Sequence, residues 1–132
     1  MKKILIDTSI WVEYLKSNSK YKIIDDLIKE NQICTNDIIL SEILPSLYVR
    51  NEYELIDSLK HLDNITVNIK WEIIIQMQIM NYKNGINKVG IPDLIILQNV
   101  IDNNLIIFTL DKHFELMKDI FEYRSFEFKF GT

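Results

Sequence analysis

Short apolar runs along the chain alternate with longer segments whose apolar residues recur every three or four positions. The short runs predict buried strands at 4–6, 33–35, 65–67 and 105–108, and an alternating stretch predicts an edge strand at 125–130. The longer segments predict helices at about 11–15, 22–29, 38–47, 53–61, 69–80, 93–101 and 112–117. Strands that alternate with helices are typical of a parallel sheet covered on both faces. The pattern therefore predicts one α/β domain over residues 1–132.

Polar residues before several of these helices match the preferences of helix N-caps. A hydroxyl or carboxamide oxygen at that position accepts a hydrogen bond from a first-turn N–H that has no partner within the helix. The expected caps are Thr8 or Ser9 for the first helix, Asn36 or Thr35 for the third, and Asn51 with Glu54, spaced as a capping box, for the fourth.

Two prolines and one row of apolar residues at helical spacing lead to further structural predictions. Pro92 suits the first turn of its helix, where a missing N–H costs nothing. Pro45 lies inside the third helix and is expected to kink or shorten it. The fifth helix carries a stripe at helical spacing, which we assign mainly to the core and partly to a dimer or partner interface: Ile69, Ile73, Met77 and Met80.

Composition narrows the class of protein. A chain of 132 residues with 48% hydrophobic and 26% charged residues is typical of one soluble globular domain. The single cysteine, Cys34, excludes an internal disulfide and fits a reducing cytoplasm. Apolar runs are too short for a membrane span, so we expect no membrane partner and a cytoplasmic location. The net charge of −4 does not favour nucleic-acid binding, although a pocket of clustered acids would itself lower the charge.

Four acidic residues stand at informative places in this pattern. Asp7 closes the first strand, and Asp111 follows the fourth strand after two residues. Asp93 comes directly after Pro92 at the start of a helix, and Glu42 interrupts the apolar helix at 38–47. In open parallel sheets, functional sites lie beyond the carboxyl ends of the strands. We therefore expect Asp7 and Asp111 to lie in one crevice, where the other two acids could meet them.

Clustered carboxylates beside buried segments require a neutralising partner. An ionised carboxylate is costly to bury unless it is paired, and carboxylate oxygens are suitable ligands for a hard divalent cation such as Mg²⁺ or Mn²⁺. Each acid also has a simpler explanation: a helix cap for Asp7 or Asp111, a favourable helix dipole for Asp93, or solvent exposure for Glu42. If the fold brings all four acids together, they predict a metal site and metal-assisted hydrolysis of phosphodiester bonds.

Neighbouring side chains are weaker candidates for the same site. Hydroxyl groups that hydrogen-bond to ligating carboxylates orient them, and we assign this role to Thr8, Ser9 and Thr109. Lys112 and His113 follow Asp111 and could contact a phosphate. Hydroxyl capping explains the three hydroxyl residues nearly as well, whereas for Lys112 a solvated charge and for His113 a half-exposed place on a helix are the commoner explanations.

Four segments, taken in order, resemble the PIN-domain ribonucleases, and most closely the VapC-type toxins of type II toxin–antitoxin pairs. They are ILIDTSIWV at 4–12, SEI at 41–43, IPDLII at 91–96 and TLDKHF at 109–114. Each segment carries one of the four acids, and together they extend over nearly the whole chain. The sequence departs from the family pattern at Leu97-Gln98-Asn99, where small residues are usual, and at Pro45.

The resemblance implies a fold, a reaction and partners. It implies a three-layer α/β/α PIN-like domain with catalytic, metal-binding acids at Asp7, Glu42, Asp93 and Asp111. The implied activity is cleavage of RNA with Mg²⁺ or Mn²⁺, leaving 5′-phosphate and 3′-hydroxyl ends. The implied partners are the RNA substrate and a cognate antitoxin protein, and we also expect a homodimer.

Three other classes share some of these features. A receiver domain would have paired acids after the first strand, but Thr8 and Ser9 follow Asp7. A haloacid-dehalogenase phosphatase would have a second aspartate where Ser9 stands. A non-catalytic PIN-like module that binds RNA or protein is the stronger rival, and the presence of all four acids ranks it below the nuclease.

Overall fold

The computed structural model describes residues 3–16 and 18–128, which contain seven helices and five strands. The longest helices have 13 residues, and among the described residues none is long and apolar enough to cross a membrane. In chain order the elements are β1 (Ile4–Ile6), α1 (Thr8–Tyr14), α2 (Ile23–Lys29), β2 (Ile33–Thr35), α3 (Asp37–Val49), α4 (Tyr53–Lys60), β3 (Asp63–Asn64), α5 (Trp71–Lys83), α6 (Ile91–Asp102), β4 (Ile106–Phe108), α7 (Lys112–Met117) and β5 (Arg124–Ser125).

The strands form one parallel sheet in the order β3-β2-β1-β4-β5. Successive residues of a strand point to opposite faces, and Leu5 and Ile6 in the central strand are both fully buried. Helices therefore cover both faces of the sheet, and the predicted three-layer α/β/α fold is confirmed.

The order of the strands creates a crevice beside β1. The chain passes from β1 outward to β2 and β3, and then returns to place β4 on the other side of β1. Such a reversal leaves a gap between the two connections at the carboxyl ends of the neighbouring strands. Asp7 and Thr109 directly follow β1 and β4, so the topology brings both to this crevice.

The predicted third strand at 65–67 is wrong. β3 is Asp63–Asn64, and its pairing with β2 ends after the backbone bond from Ile65 N–H to Thr35 O. Buried amides of α6 bond the next segment instead. The Asn99 side chain donates to Thr66 O at 3.1 Å, and the Gln98 side chain donates to Asn68 O at 2.7 Å. Gln98 and Asn99, which stand where the family usually has small residues, thus donate hydrogen bonds to backbone carbonyls of a segment that pairs with no strand among the described residues.

Three other local predictions also need correction. β5 is Arg124–Ser125 rather than a strand at 125–130, and positions 129–130 lie outside the described residues. Pro45 does not shorten α3, which continues to Val49, and the alternative expectation of a kink stays a prediction. Glu52 rather than Asn51 occupies the N-cap position of α4, without a side-chain bond, so the capping box is wrong. The expected Asn36 cap of α3 is confirmed by its bond from Ile39 N–H.

The buried face of α5 differs from the predicted stripe. Ile74, Met77 and Asn81 are its buried residues, whereas the predicted core positions Ile69, Ile73 and Met80 are exposed. The segment contains apolar residues on nearly every side, so spacing alone could not identify the buried face. An exposed apolar face remains, with Trp71, Ile75, Ile79 and Tyr82 spaced by four, four and three positions.

Candidate active site

Asp7 is the central acid of the crevice. It follows β1 directly, its backbone N–H bonds to Phe108 O at 2.9 Å, and its residue is only 6% exposed. It occupies the N-cap position of α1, but its side chain makes no capping bond. The expected Thr8 or Ser9 cap is therefore wrong, since Thr8 is already the first helical residue. Helix capping, which would be the simplest explanation for an aspartate at this position, therefore does not explain the Asp7 carboxylate.

Two hydroxyl groups hold the Asp7 carboxylate in place. Ser9 Oγ and Thr109 Oγ1 each donate to Asp7 Oδ2 at 2.8 Å. Ser9 Oγ also accepts from Leu110 N–H, and Thr109 Oγ1 accepts from Asp111 N–H, both at 3.0 Å. Both side-chain bonds end on Oδ2, and within the described residues no hydrogen bond ends on Oδ1. Asp7 therefore presents one fixed, unused carboxylate oxygen.

Glu42 reaches the same region from α3. Its residue is exposed, and its Oε1 accepts a hydrogen bond from Thr8 Oγ1 at 3.1 Å. Partial burial raises the pKa of Glu42, the bond from Thr8 lowers it, and the nearby charge of Asp7 raises it. The glutamate is therefore tied to the residue that follows Asp7.

Asp93, Asp111 and His113 form the other half of the site. One donor atom from each lies within 4.8 Å of the others. Asp93 is in the first turn of α6, and Asp111 caps α7 by accepting from His113 N–H at 2.9 Å. The expected N-cap role of Asp111 is real, yet the same side chain also faces Asp93. One carboxylate thus serves both the helix end and the cluster.

Electrostatics joins the two halves of the site. Burial is the largest cause that raises the pKa of Asp93 to about 6, followed by the charges of Asp111, Asp7 and Glu42. The charge of His113 opposes this increase. All three other acids are close enough to Asp93 to disfavour its ionised form. The structure therefore places the four predicted acids close enough to interact electrostatically, while the donor atoms that lie within 4.8 Å of one another belong to Asp93, Asp111 and His113.

The remaining candidates are placed less uniformly. Thr8, Ser9 and Thr109 all contact acids of the cluster, as their predicted role requires. His113 lies in the cluster, whereas Lys112 is exposed on the neighbouring surface. The catalytic and metal-binding roles of all these residues stay predictions.

Two amide side chains that position the site were missed at the level of sequence. Asn36 at the start of α3 donates to Asn99 Oδ1 of α6 at 2.9 Å, which links the helices that carry Glu42 and Asp93. Gln78 of α5 donates to Val89 O at 2.8 Å, just before α6 begins. A pair of buried amides distant in the sequence produces no local pattern, so the Asn36–Asn99 bond could not be predicted. The departure from small residues at Asn99 was the only sign of it in the sequence.

Comparison with known proteins gives the family. The family model described as PIN domain matches residues 4–120. The chain belongs to the PIN domain family. PIN domains are generally nucleases, and the four clustered acids lie within the matched residues. No curated protein sequence matches this PIN domain.

Solved structures resemble this PIN domain over most of its length. VapBC2 from Rickettsia felis bound to a DNA fragment from their promoter matches with a TM-score of 0.72 and 21% identity, covering 96% of this chain and 98% of that chain. FitAcB from Neisseria gonorrhoeae matches with a TM-score of 0.67 and 18% identity, covering 94% and 96%. DNA-bound VapBC from Salmonella typhimurium matches with a TM-score of 0.66 and 19% identity, covering 87% and 92%. At these identities the likeness establishes the fold.

The donor set of this PIN domain fits a divalent cation. Burial is the largest cause of the raised pKa of Asp93 and repulsion from the other acids adds to it, and a nearby cation would offset both by stabilising the ionised carboxylate. Oxygen donors suit Mg²⁺ and Mn²⁺, and Asp7 holds one oxygen ready in a fixed orientation. Asp93 and Asp111, whose donor atoms lie within 4.8 Å of each other, are the residues that would hold such an ion, with the charges of Asp7 and Glu42 nearby.

Asp93→Asn is expected to stabilise the metal-free protein at neutral pH. The pKa of Asp93 rises from 3.8 to about 6 on folding, so the folded protein loses stability as the pH rises through this interval. An asparagine side chain is uncharged, so it carries neither the cost of burying a charge nor the repulsion from the other acids. In chelator at about pH 7.5, we expect a melting temperature higher by on the order of 4 °C per kcal/mol of relieved repulsion.

The gain from Asp93→Asn should shrink as the pH falls through 6 and vanish below 3.8, where the wild-type carboxyl is protonated in both the folded and the unfolded state. Differential scanning calorimetry across this range measures it. A variant that melts at or below the wild-type temperature at neutral pH would contradict the repulsive cluster.

Proposed function

We propose that the chain is a metal-dependent endoribonuclease that hydrolyses RNA phosphodiester bonds with Mg²⁺ or Mn²⁺, and that it is the toxin of a toxin–antitoxin pair. The observation that carries the proposal is the meeting of Asp7, Glu42, Asp93 and Asp111 at the crevice beside β1. PIN domains are generally nucleases, and these are the acids that the resemblance to VapC-type toxins assigns to catalysis.

The residues have distinct tasks in this reaction. A divalent cation held by Asp93 and Asp111 would supply an activated water and offset the charge that develops on the phosphate oxygens. Ser9 and Thr109 hold Asp7 so that its free oxygen keeps one orientation toward the crevice. Asp111 is fixed by its bond to His113 N–H, and Thr8 restrains Glu42. Because these donors are fixed before substrate binds, little reorganisation is needed during the reaction.

Cleavage of a mixed RNA pool by the purified chain tests the proposal. We expect fragments with 5′-phosphate and 3′-hydroxyl ends in Mn²⁺ or Mg²⁺, and none in excess chelator. Ligation of adaptors that require each type of end measures the products. If the chain retains RNA without cleaving it under any metal, the non-catalytic PIN-like binding module is the correct assignment.

A cognate antitoxin is the proposed protein partner. The resemblance to VapC-type toxins and the structural likeness to chains of VapBC and FitAcB support it. Trp11 is buried and offers no surface, but Val12, Tyr48, Val49 and Tyr53 expose apolar side chains on α1, α3 and α4. An antitoxin segment laid on this face could bring an arginine to the acids, because its planar fork matches carboxylate pairs.

A homodimer and a cytoplasmic location complete the proposal. The exposed face of α5 carries Trp71, Ile75 and Tyr82 at helical spacing, 58%, 52% and 61% exposed, and neighbouring exposed apolar side chains of this kind are typical of an interaction surface. A second copy of the chain is the occupant we propose, and sedimentation of the purified chain at micromolar concentration would reveal a stable monomer if this assignment is wrong. The buried free thiol of Cys34 agrees with a reducing compartment.

A further inference from the structure

His113 differs from the other members of the cluster because it offers nitrogen rather than oxygen. Its Nδ1 lies 3.3 Å from Asp111 Oδ1, and its residue is partly buried. One donor atom each from Asp93, Asp111 and His113 falls within 4.8 Å of the others. The backbone N–H of His113 also bonds to Asp111 Oδ1, so the cap of α7 holds the imidazole beside the carboxylate.

These separations match donors that share one ion. Ligands at about 2.1 Å from an octahedral ion lie about 3 Å apart when adjacent and about 4.2 Å apart when opposite. The Asp111–His113 separation of 3.3 Å is close to the adjacent value, and the outer limit of 4.8 Å requires only small adjustments to reach the opposite one. Asp93 would be the third donor beside Asp111 and His113.

We propose that His113 is a direct nitrogen ligand of the cation in this site, and that it makes the site select Mn²⁺ or a later transition ion over Mg²⁺. The inference rests on the proposed metal-dependent function. Imidazole is a suitable ligand for transition ions, which also bind mixed nitrogen and oxygen sites more strongly along the series from Mn²⁺ to Cu²⁺. Mg²⁺ prefers oxygen donors and gives up its own water reluctantly.

A simpler role for His113 would be an ion pair with Asp111. The chain contains the same kind of pair elsewhere, because His61 Nδ1 lies 3.6 Å from Asp57 Oδ1 on an exposed part of the surface. His61 and His113 are the two histidines of the sequence. His61→Asn is therefore a matched control, since it removes a histidine–aspartate pair that has no third donor nearby among the described residues.

Calorimetric titration at constant pH separates these roles. Mg²⁺, Mn²⁺ and Co²⁺ are each titrated into the wild-type chain, His113→Asn, His113→Ala and His61→Asn. We expect both His113 variants to lose at least about tenfold in affinity for Mn²⁺ and Co²⁺, since even weaker disturbances around a metal cost this much. Affinity for Mg²⁺ should change by less than about threefold, because the oxygen donors remain. His61→Asn should bind all three ions as the wild type does.

The visible spectrum of bound Co²⁺ gives a second measurement that does not depend on activity. Loss of a nitrogen ligand should change the absorption bands in the His113 variants and leave them unchanged in His61→Asn. Unchanged Mn²⁺ and Co²⁺ binding, or an equal loss for Mg²⁺ and the other ions, would overturn the nitrogen ligand while the metal nuclease stands. If the wild-type chain binds none of the three ions, the proposed function fails with it.

Discussion

Replacing any one of the four clustered acids by its amide should reduce the initial rate of RNA cleavage at least about a hundredfold, the effect of removing a key electrostatic group. An amide keeps the shape of the side chain but loses the charge that binds a cation. The rate is measured on one RNA in saturating Mn²⁺, and circular dichroism confirms the fold. The variants are Asp7→Asn, Glu42→Gln, Asp93→Asn and Asp111→Asn.

Double variants sharpen this prediction. If the acids act as one cage, a second replacement should add little to the first, because the cage is already broken. Glu115→Gln is the matched control: Glu115 is exposed on α7, the helix that Asp111 caps, and should keep a near wild-type rate. Glu13 is a weaker control, since it forms an ion pair with Lys16. If one acid variant keeps a near wild-type rate, that residue does not belong to the catalytic site. If all four variants stay active, the proposed nuclease activity is refuted.

The Asp93→Asn variant can distinguish a loss of activity from a loss of stability. The same substitution is expected to stabilise the metal-free fold at neutral pH, since it removes the repulsion from Asp111, Asp7 and Glu42. A variant that is more stable and nearly inactive cannot owe its loss of rate to unfolding. This outcome would identify Asp93 as a group kept for function at a cost in stability.

Expression of the chain alone in a bacterial host should strongly slow growth, and Asp7→Ala should restore growth. The proposed activity degrades RNA that the host needs, and Asp7 lies at the centre of the site, where Ser9 and Thr109 hold it. Growth is followed after induction, and the amount of chain is measured by immunoblot at each point. Glu115→Gln should be as harmful as the wild type.

The comparison must be made at equal protein levels, because a destabilised variant would restore growth by its absence. The melting temperature of purified Asp7→Ala in chelator checks this point. If the wild type and Asp7→Ala slow growth equally, the effect comes from something other than cleavage. If neither slows growth at high expression, the chain is not a toxin in that host, although the cleavage assay could still show a nuclease.

The sequence by itself determined the class of fold and the positions of the acids. Apolar runs such as Ile4–Ile6 have few alternatives to a buried strand, and a parallel sheet follows from their alternation with helices. Asn36 and Pro92 were recognisable at helix starts, because capping and ring geometry are local properties. Asp7 followed from the same reasoning, since it directly succeeds a buried strand.

Tertiary structure decided what depends on partners distant in the sequence. The segment after Ile65 has the composition of a strand, yet its backbone carbonyls accept hydrogen bonds from the side chains of Gln98 and Asn99 instead of from a neighbouring strand. The buried face of α5 was set by its packing against α6, since apolar residues surround the helix.

The convergence of the acids is also a tertiary property. Sequence placed Asp7 and Asp111 near strand ends, but only the strand order puts β1 beside β4. Glu42 and Asp93 come from helices that pack into the same core and are linked by the buried Asn36–Asn99 hydrogen bond. Burial and, after it, repulsion from the other acids raise the pKa of Asp93, and both depend on distance through space and not on separation along the chain.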